Sequence, residues 1–163
     1  MNFWDTSAVI ALLVGQDGTK RVEEARAHDA VMVVWWGTVV ECGSALGRLR
    51  REKALNPAQA KHAHAEMLRL SASWGEVDPS QIVRDRAIAL IARYPLKAAD
   101  AFQLAAATIA LDPFNGPAVD AKIVSGVTVK GGDTLGDGPA FICLDRQLAA
   151  AAREEGLTVF PDG

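Results

Sequence analysis

Short apolar runs alternate with helical patterns along the chain. "MNFW" opens it, "SAVIALLV" and "TKRVEEARAH" follow with helical character, "VMVVWW" is a second apolar run, and "TVVECGSALGRLRREK" reads as a helix. That rhythm predicts βα units feeding a parallel sheet. Pro57 can open the next helix at its first turn, and "PAQAKHAHAEMLRLSASW" carries it to Gly75, a residue suited to stop it, so a helix hairpin interrupts the alternation. "EVDPS" reads as a short edge strand. A helix then runs from Ser80 to about Tyr94, where the ring of Pro95 ends it. The helix through "AADAFQLAAATIAL" begins near Ala98, and "AFICL", "RQLAAAAREEG" and "LTVF" close the chain as strand, helix and strand.

One segment breaks this rhythm. Residues 112–139, "DPFNGPAVDAKIVSGVTVKGGDTLGDGP", are rich in Gly, Pro and Asp between two well-patterned elements, and unstructured loops of that length are uncommon in compact domains. Alternation in "KIVSGVTVK" suits a hairpin strand, so the segment reads as an insertion, part hairpin and part mobile loop, within a single α/β domain spanning residues 1–163. Its "GGDTLGDG" lacks the Gly-Lys-Ser/Thr of a phosphate loop.

At 163 residues, half of them apolar, the chain has enough material for one sizeable core. Seventeen Lys and Arg face 20 Asp and Glu, so no overall basic footprint announces nucleic acid. Cys42 and Cys143 lie in apolar sequence without C-x-x-C spacing and read as reduced core thiols, which together with the lack of an export signal or a run of about 18 apolar residues implies a cytoplasmic protein.

The candidate chemistry is acidic. Asp5 follows the first strand, Glu41 lies early in the helix after "VMVVWW", Asp100 sits in the first turn of "ADAFQLAAA", and Asp145 follows "AFICL". In an open parallel sheet, strand carboxyl ends and the starts of the following helices share the edge where ligands bind. Each acid taken alone also suits a helix cap or first turn. Four together repel one another and raise one another's pKa unless a hard divalent cation such as Mg²⁺ or Mn²⁺ neutralises them. Such a site suits phosphodiester hydrolysis.

The series "DTSAVIALL", "VVECGSALGRL", "LKAADAFQLAAA" and "FICLDRQLAAAAREEG" resembles the PIN-domain family, and within it the VapC-like toxic ribonucleases of bacterial toxin–antitoxin pairs. The resemblance implies a three-layer α/β fold with a parallel sheet of about five strands flanked by helices. It also implies a metal-dependent endoribonuclease using Asp5, Glu41, Asp100 and Asp145, an RNA substrate, an antitoxin partner and a homodimer. The insertion at 112–139 departs from the family pattern.

Thr6 and Ser7 are supporting candidates beside Asp5, with helix capping as their alternative. Arg48, seven residues after Glu41 and on the same helical face, is a candidate phosphate holder. Setting the four acids aside leaves 17 basic against 16 acidic residues, so the acidic pI does not argue against RNA. His62, His64 and Glu66 lack the i, i+4 histidine pair of a helical zinc site. Trp35, Trp36 and Trp74 read as core or interface more readily than as base-stacking platforms. The competing functions are a haloacid-dehalogenase-type phosphatase, which needs Asp-x-Asp where position 7 is Ser, a phosphoacceptor receiver domain, and a PIN-like RNA- or protein-binding module with weak or no catalysis.

Overall fold

The computed structural model describes residues 1–15, 18–29, 31–111, 124–125 and 138–161. Its strands are β1 (Asn2–Trp4), β2 (Met32–Trp35), β3 (Gly75–Val77), β4 (Val124–Ser125), β5 (Phe141–Ile142) and β6 (Val159–Phe160). Its helices are α1 (Thr6–Val14), α2 (Thr19–Ala27), α3 (Thr38–Arg51), α4 (Pro57–Ser71), α5 (Gln81–Arg93), α6 (Ala98–Ala110) and α7 (Arg146–Glu154). The sheet order is β4-β3-β2-β1-β5-β6, with every pairing parallel except β3 with β4. The parallel five-stranded sheet expected from the sequence is therefore present.

Period-two alternation divides the core into two layers. Phe3, Val33 and Phe141 pack with α5, α6 and α7, while Trp4, Met32, Val34 and Ile142 pack with α1 to α4. Both faces of β1 are thus covered, and Phe3 and Trp4 are wholly buried. Central parallel strands read as continuous apolar runs for this reason. Trp4 solves its polar requirement by donating its indole N–H to Asp29 at 2.7 Å, a buried carboxylate that also accepts the backbone N–H of Val31 at 3.3 Å. Asp29, which also pairs with the N-terminal ammonium of Met1 at 3.4 Å, thereby ties the Trp4 side chain to the amino end of the sheet.

Local chemistry explains the helix ends. Asn56 caps α4 in a reciprocal capping box with Gln59, and Pro57 occupies its first turn. Ser80 caps α5, which ends at an extended Tyr94, as the residue before a proline should. Gly75 is not the stop of α4. That helix ends at Ser71, where the hydroxyls of Ser71 and Ser73 bond back to the carbonyls of Leu68 and Leu70 at 3.0 Å each, so no left-handed glycine is required and Gly75 instead begins β3. Nor does β3 lie at the edge, because Glu76 and Val77 pair antiparallel with Ser125 and Val124. The hairpin and loop expected elsewhere in 112–139 fall, apart from that strand and residues 138–139, outside the described residues.

Replacing Asp29 with alanine should leave the buried Trp4 N–H unpaired and destabilise the protein by about 2–3 kcal/mol. The urea midpoint should fall with an unchanged slope, whereas an unchanged midpoint would show that the Trp4–Asp29 bond does not brace β1.

Candidate active site

Asp5 follows β1 directly and is the N-cap of α1, a helix made almost wholly of apolar residues. Its Oδ2 accepts the backbone N–H of Ser7 at 2.9 Å and the Ser7 hydroxyl in a short bond. The Ser7 hydroxyl oxygen in turn accepts the backbone N–H of Leu144 at 2.9 Å. One serine therefore ties the Asp5 turn to the segment between β5 and α7. Asp145 is built in the same way: it is the N-cap of α7, and its Oδ1 accepts the backbone N–H groups of Gln147 and Leu148, both at 2.9 Å.

Glu41 occupies the first turn of α3. Its Oε2 accepts the Thr6 hydroxyl at 2.8 Å and the side-chain amide of Gln103 at 3.1 Å. The same Gln103 nitrogen also donates to Thr6 Oγ1 at 2.7 Å and Thr38 Oγ1 at 3.1 Å. Asp100, half-buried, lies in the first turn of α6.

A repeated design follows. Asp5, Glu41 and Asp145 each use one carboxylate oxygen for the scaffold, while Asp5 Oδ1, Glu41 Oε1 and Asp145 Oδ2 make no hydrogen bond among the described residues. Capping and a ligand role, alternatives when read from sequence, are compatible within one carboxylate.

Electrostatics link the four acids. Asp5 is only 4% exposed, and burial pushes its carboxyl up to about 6, against the pull of the Ser7 hydroxyl and N–H and with the charges of Glu41 and Asp145 adding to the rise. Burial also raises Glu41, opposed by Thr6 and Gln103 and assisted by Asp100. Asp100 is raised by burial and then by Asp145, with the Lys97 backbone N–H and charge acting the other way. The four carboxylates thus feel one another around a closed ring. Among the described residues, none of them forms an ion pair with Lys or Arg.

Among the described residues, no three His, Cys, Asp or Glu side chains stand close enough together to hold a metal ion as a ready-made cage. The donor chemistry nevertheless suits Mg²⁺ or Mn²⁺. The donors are hard oxygens, none is ion-paired among the described residues, and Mg²⁺ is ordinarily held by one or two carboxylates with waters and substrate phosphates. Cysteine chemistry is disfavoured at this edge. Burial, then the charges of Glu41 and Asp5, push Cys42 up to about 12, and burial followed by Asp5 raises Cys143 as well.

The other candidates separate cleanly. The Thr6 and Ser7 hydroxyls are engaged within the protein, on Glu41 and on Asp5 with Leu144. Arg48 is exposed near the far end of α3, about 10 Å along the helix from Glu41 at a rise of about 1.5 Å per residue. His62 and His64 are exposed on α4. Trp35 is buried and stacked on Phe102 with ring centroids 5.5 Å apart, Trp74 is buried and donates to Glu76, and Trp36 is 50% exposed. Gln103 was missed by the sequence reading. Its signal is its position three residues after Asp100, on the same helical face in an alanine-rich helix.

A parallel α/β sheet with a ring of coupled carboxylates at its carboxyl edge is the arrangement of a nuclease-type fold. The chain belongs to the PIN domain family, whose profile matches residues 3–110. The match includes Asp5, Glu41 and Asp100 and ends before Asp145. No curated protein matches the chain.

Because the folded protein binds the Asp5 proton more tightly than the unfolded chain does, the resulting stabilisation is full below about pH 3.8 and is lost as pH rises through about 6. At about 1.4 kcal/mol per tenfold change in proton affinity, the ionised Asp5 destabilises the metal-free fold by up to about 3 kcal/mol at pH 7. Asp5→Asn keeps the cap, so in EDTA it should gain roughly 1–3 kcal/mol at pH 7 and almost nothing at pH 4. Denaturant titrations at the two pH values check this, and equal effects at both would show that Asp5 is not the strained charge.

Proposed function

We propose that this chain is a Mg²⁺- or Mn²⁺-dependent endoribonuclease, the toxin of a toxin–antitoxin pair, with Asp5, Glu41, Asp100 and Asp145 as its acidic site. The single observation that carries the reading is the gathering of Asp5, Glu41 and Asp100, each raised chiefly by burial, with Asp145 beside them, free of ion pairs among the described residues, at the carboxyl edge of a PIN-family sheet. A cation bound among these carboxylates would offset their charge and relieve that cost. The oxygens that would hold it are Asp5 Oδ1, Glu41 Oε1 and Asp145 Oδ2, with a carboxylate oxygen of Asp100. When bound, the cation supplies positive charge that offsets the carboxylates and stabilises charge developing on a phosphoryl oxygen.

The protein's own part is orientation. Thr6 and Gln103 hold Glu41, while Ser7 and the α1 N-terminus hold Asp5, so the acids need little reorganisation when substrate arrives. Glu41, held by Thr6 and Gln103 through Oε2, keeps Oε1 as the oxygen it would offer to the cation. Arg48 provides positive charge on the Glu41 helix for the RNA backbone. The exposed apolar side chains Ile82, Ile88 and Ile91 of α5 support self-association, and an antitoxin segment would cover the acidic edge. We assign the protein to the cytoplasm. No helix among the described residues is long and apolar enough to cross a membrane.

A second reading, a PIN-like binding module with little catalysis, is favoured by one observation, the lack of a preassembled three-ligand cluster among the described residues. The phosphatase reading is weakened because the second Asp of its Asp-x-Asp motif is replaced by Ser7, which bonds to Asp5.

Asp5→Asn and Asp100→Asn should each reduce cleavage of single-stranded RNA by about a hundredfold or more in Mn²⁺ while leaving a cooperative melt, and EDTA should abolish wild-type cleavage. Wild-type rates in either variant, or cleavage that persists in EDTA, would overturn the metal-ribonuclease reading. The product of an adjacent gene should bind the chain and inhibit it in a pull-down and cleavage assay, and failure of both would remove the toxin assignment.

A further inference from the structure

We propose that Gln103 is a positioning residue for the acidic site, its side-chain amide gripping Glu41 by one carboxylate oxygen so that Oε1 is presented to the cation and the RNA; this rests on the ribonuclease reading above.

Gln103 is 1% exposed, in a helix whose other buried positions are alanine and leucine. Its Nε2 meets Thr6 of α1, and Thr38 and Glu41 of α3, at 2.7, 3.1 and 3.1 Å, so one amide joins three helices at the carboxyl edge of the sheet. The direction of these bonds is determined by chemistry. Thr6 accepts from the amide and therefore turns its own hydrogen toward Glu41 Oε2, which receives two donors while Oε1 receives none among the described residues. The opposite amide orientation would set a carbonyl against an ionised carboxylate, so the charge of Glu41 itself orients Gln103.

The other half of the amide shows that this is not a packing choice. Gln103 Oε1 is buried without a hydrogen-bond partner among the described residues. Buried polar atoms are ordinarily paired, and an apolar side chain of the same length would fill the position without that penalty. Among the described residues only the N–H side of Gln103 has partners, and those partners are the acid Glu41 and the two threonines beside it. Asp100, one turn earlier on the same face of α6, is coupled to Glu41 electrostatically. A single helix therefore contributes one acid and holds a second in register with it. Partners that orient ligating side chains commonly change metal affinity by 10- to 100-fold when removed.

The test uses the full chain with Gln103→Met and Gln103→Leu, which keep length or volume and lack the N–H, each also placed in a Glu41→Gln background. Mn²⁺ binding is measured by calorimetry, stability by thermal melt, and RNA cleavage as separate kcat and KM. We expect Gln103→Met to melt close to wild type, because the lost N–H bonds and the relieved carbonyl offset one another. The Mn²⁺ Kd should weaken about tenfold or more, and kcat should fall with KM nearly unchanged. In the Glu41→Gln background the Gln103 substitutions should add no further loss of Mn²⁺ affinity, as expected for a residue that acts through Glu41. A wild-type Kd in both variants, an equal loss of affinity in both backgrounds, or loss of cooperative melting in both variants would overturn the positioning role while leaving the ribonuclease reading in place. Failure of the wild-type chain to bind Mn²⁺ would instead overturn that reading, and this inference with it.

Discussion

The desolvation of Asp5, Glu41 and Asp100 in a partly dry edge is the constraint on which the rest of this structure depends. Asp5 is nearly enclosed, and burial is the largest influence on Asp5, Glu41 and Asp100 alike. Water cannot screen these charges fully, so their mutual placement is decided by whatever grips them. At Asp5 and Asp145 the grip is a helix N-terminus, whose unpaired N–H groups and dipole favour an anion. At Glu41 it is a hydroxyl and an amide contributed by two other helices. The same bonds that stabilise Asp5, Glu41 and Asp145 leave one oxygen of each without a partner among the described residues, which makes the cluster both tolerable to the fold and open to a ligand.

The two-layer core makes this arrangement rigid. Alternation along β1 commits Phe3 to one layer and Trp4 to the other, so the chain enters Asp5 from a strand clamped on both faces. Asp29 satisfies the Trp4 indole, which fills a large volume beneath α1 without leaving a buried donor unpaired. On the opposite side, Ser7 joins the loop that leads to Asp145 to the first turn of α1, and parallel pairing of β1 with β5 brings the two strand ends side by side. The carboxyl edge is thus the region where strand order, helix capping and one serine bridge all converge. A site on such ends is held more precisely than one on free loops.

Residue pattern made much of this legible. A single acid immediately after each of two apolar strands, and two more in first helical turns, implied a shared edge as soon as the strands were read as parallel. The same pattern failed at Gly75, where glycine suggested a helix stop but two serine hydroxyls satisfied the last carbonyls several residues earlier. It failed again at β3, because the antiparallel partner Val124–Ser125 lies far along the chain in a segment whose alternation suggested a local hairpin. Gln103 illustrates the general limit. A glutamine in an alanine-rich helix is unremarkable by propensity, and only its contacts with Thr6, Thr38 and Glu41, 97, 65 and 62 residues away, mark it as part of the site.

By itself the sequence determined the element types, the parallel α/β class and the placing of four acids at strand ends and first helical turns, because these depend on short-range quantities: apolar period, capping chemistry and the charge of each residue. The tertiary structure alone decided which oxygen of each carboxylate is gripped, how far burial raises Asp5, that Trp35 and Trp74 are enclosed while Trp36 is exposed, and that β4 covers the edge of β3. Those outcomes depend on distances between residues remote in the chain and on the local exclusion of water. Neither quantity is written in any window of sequence; both arise when the two layers of helices close over the sheet.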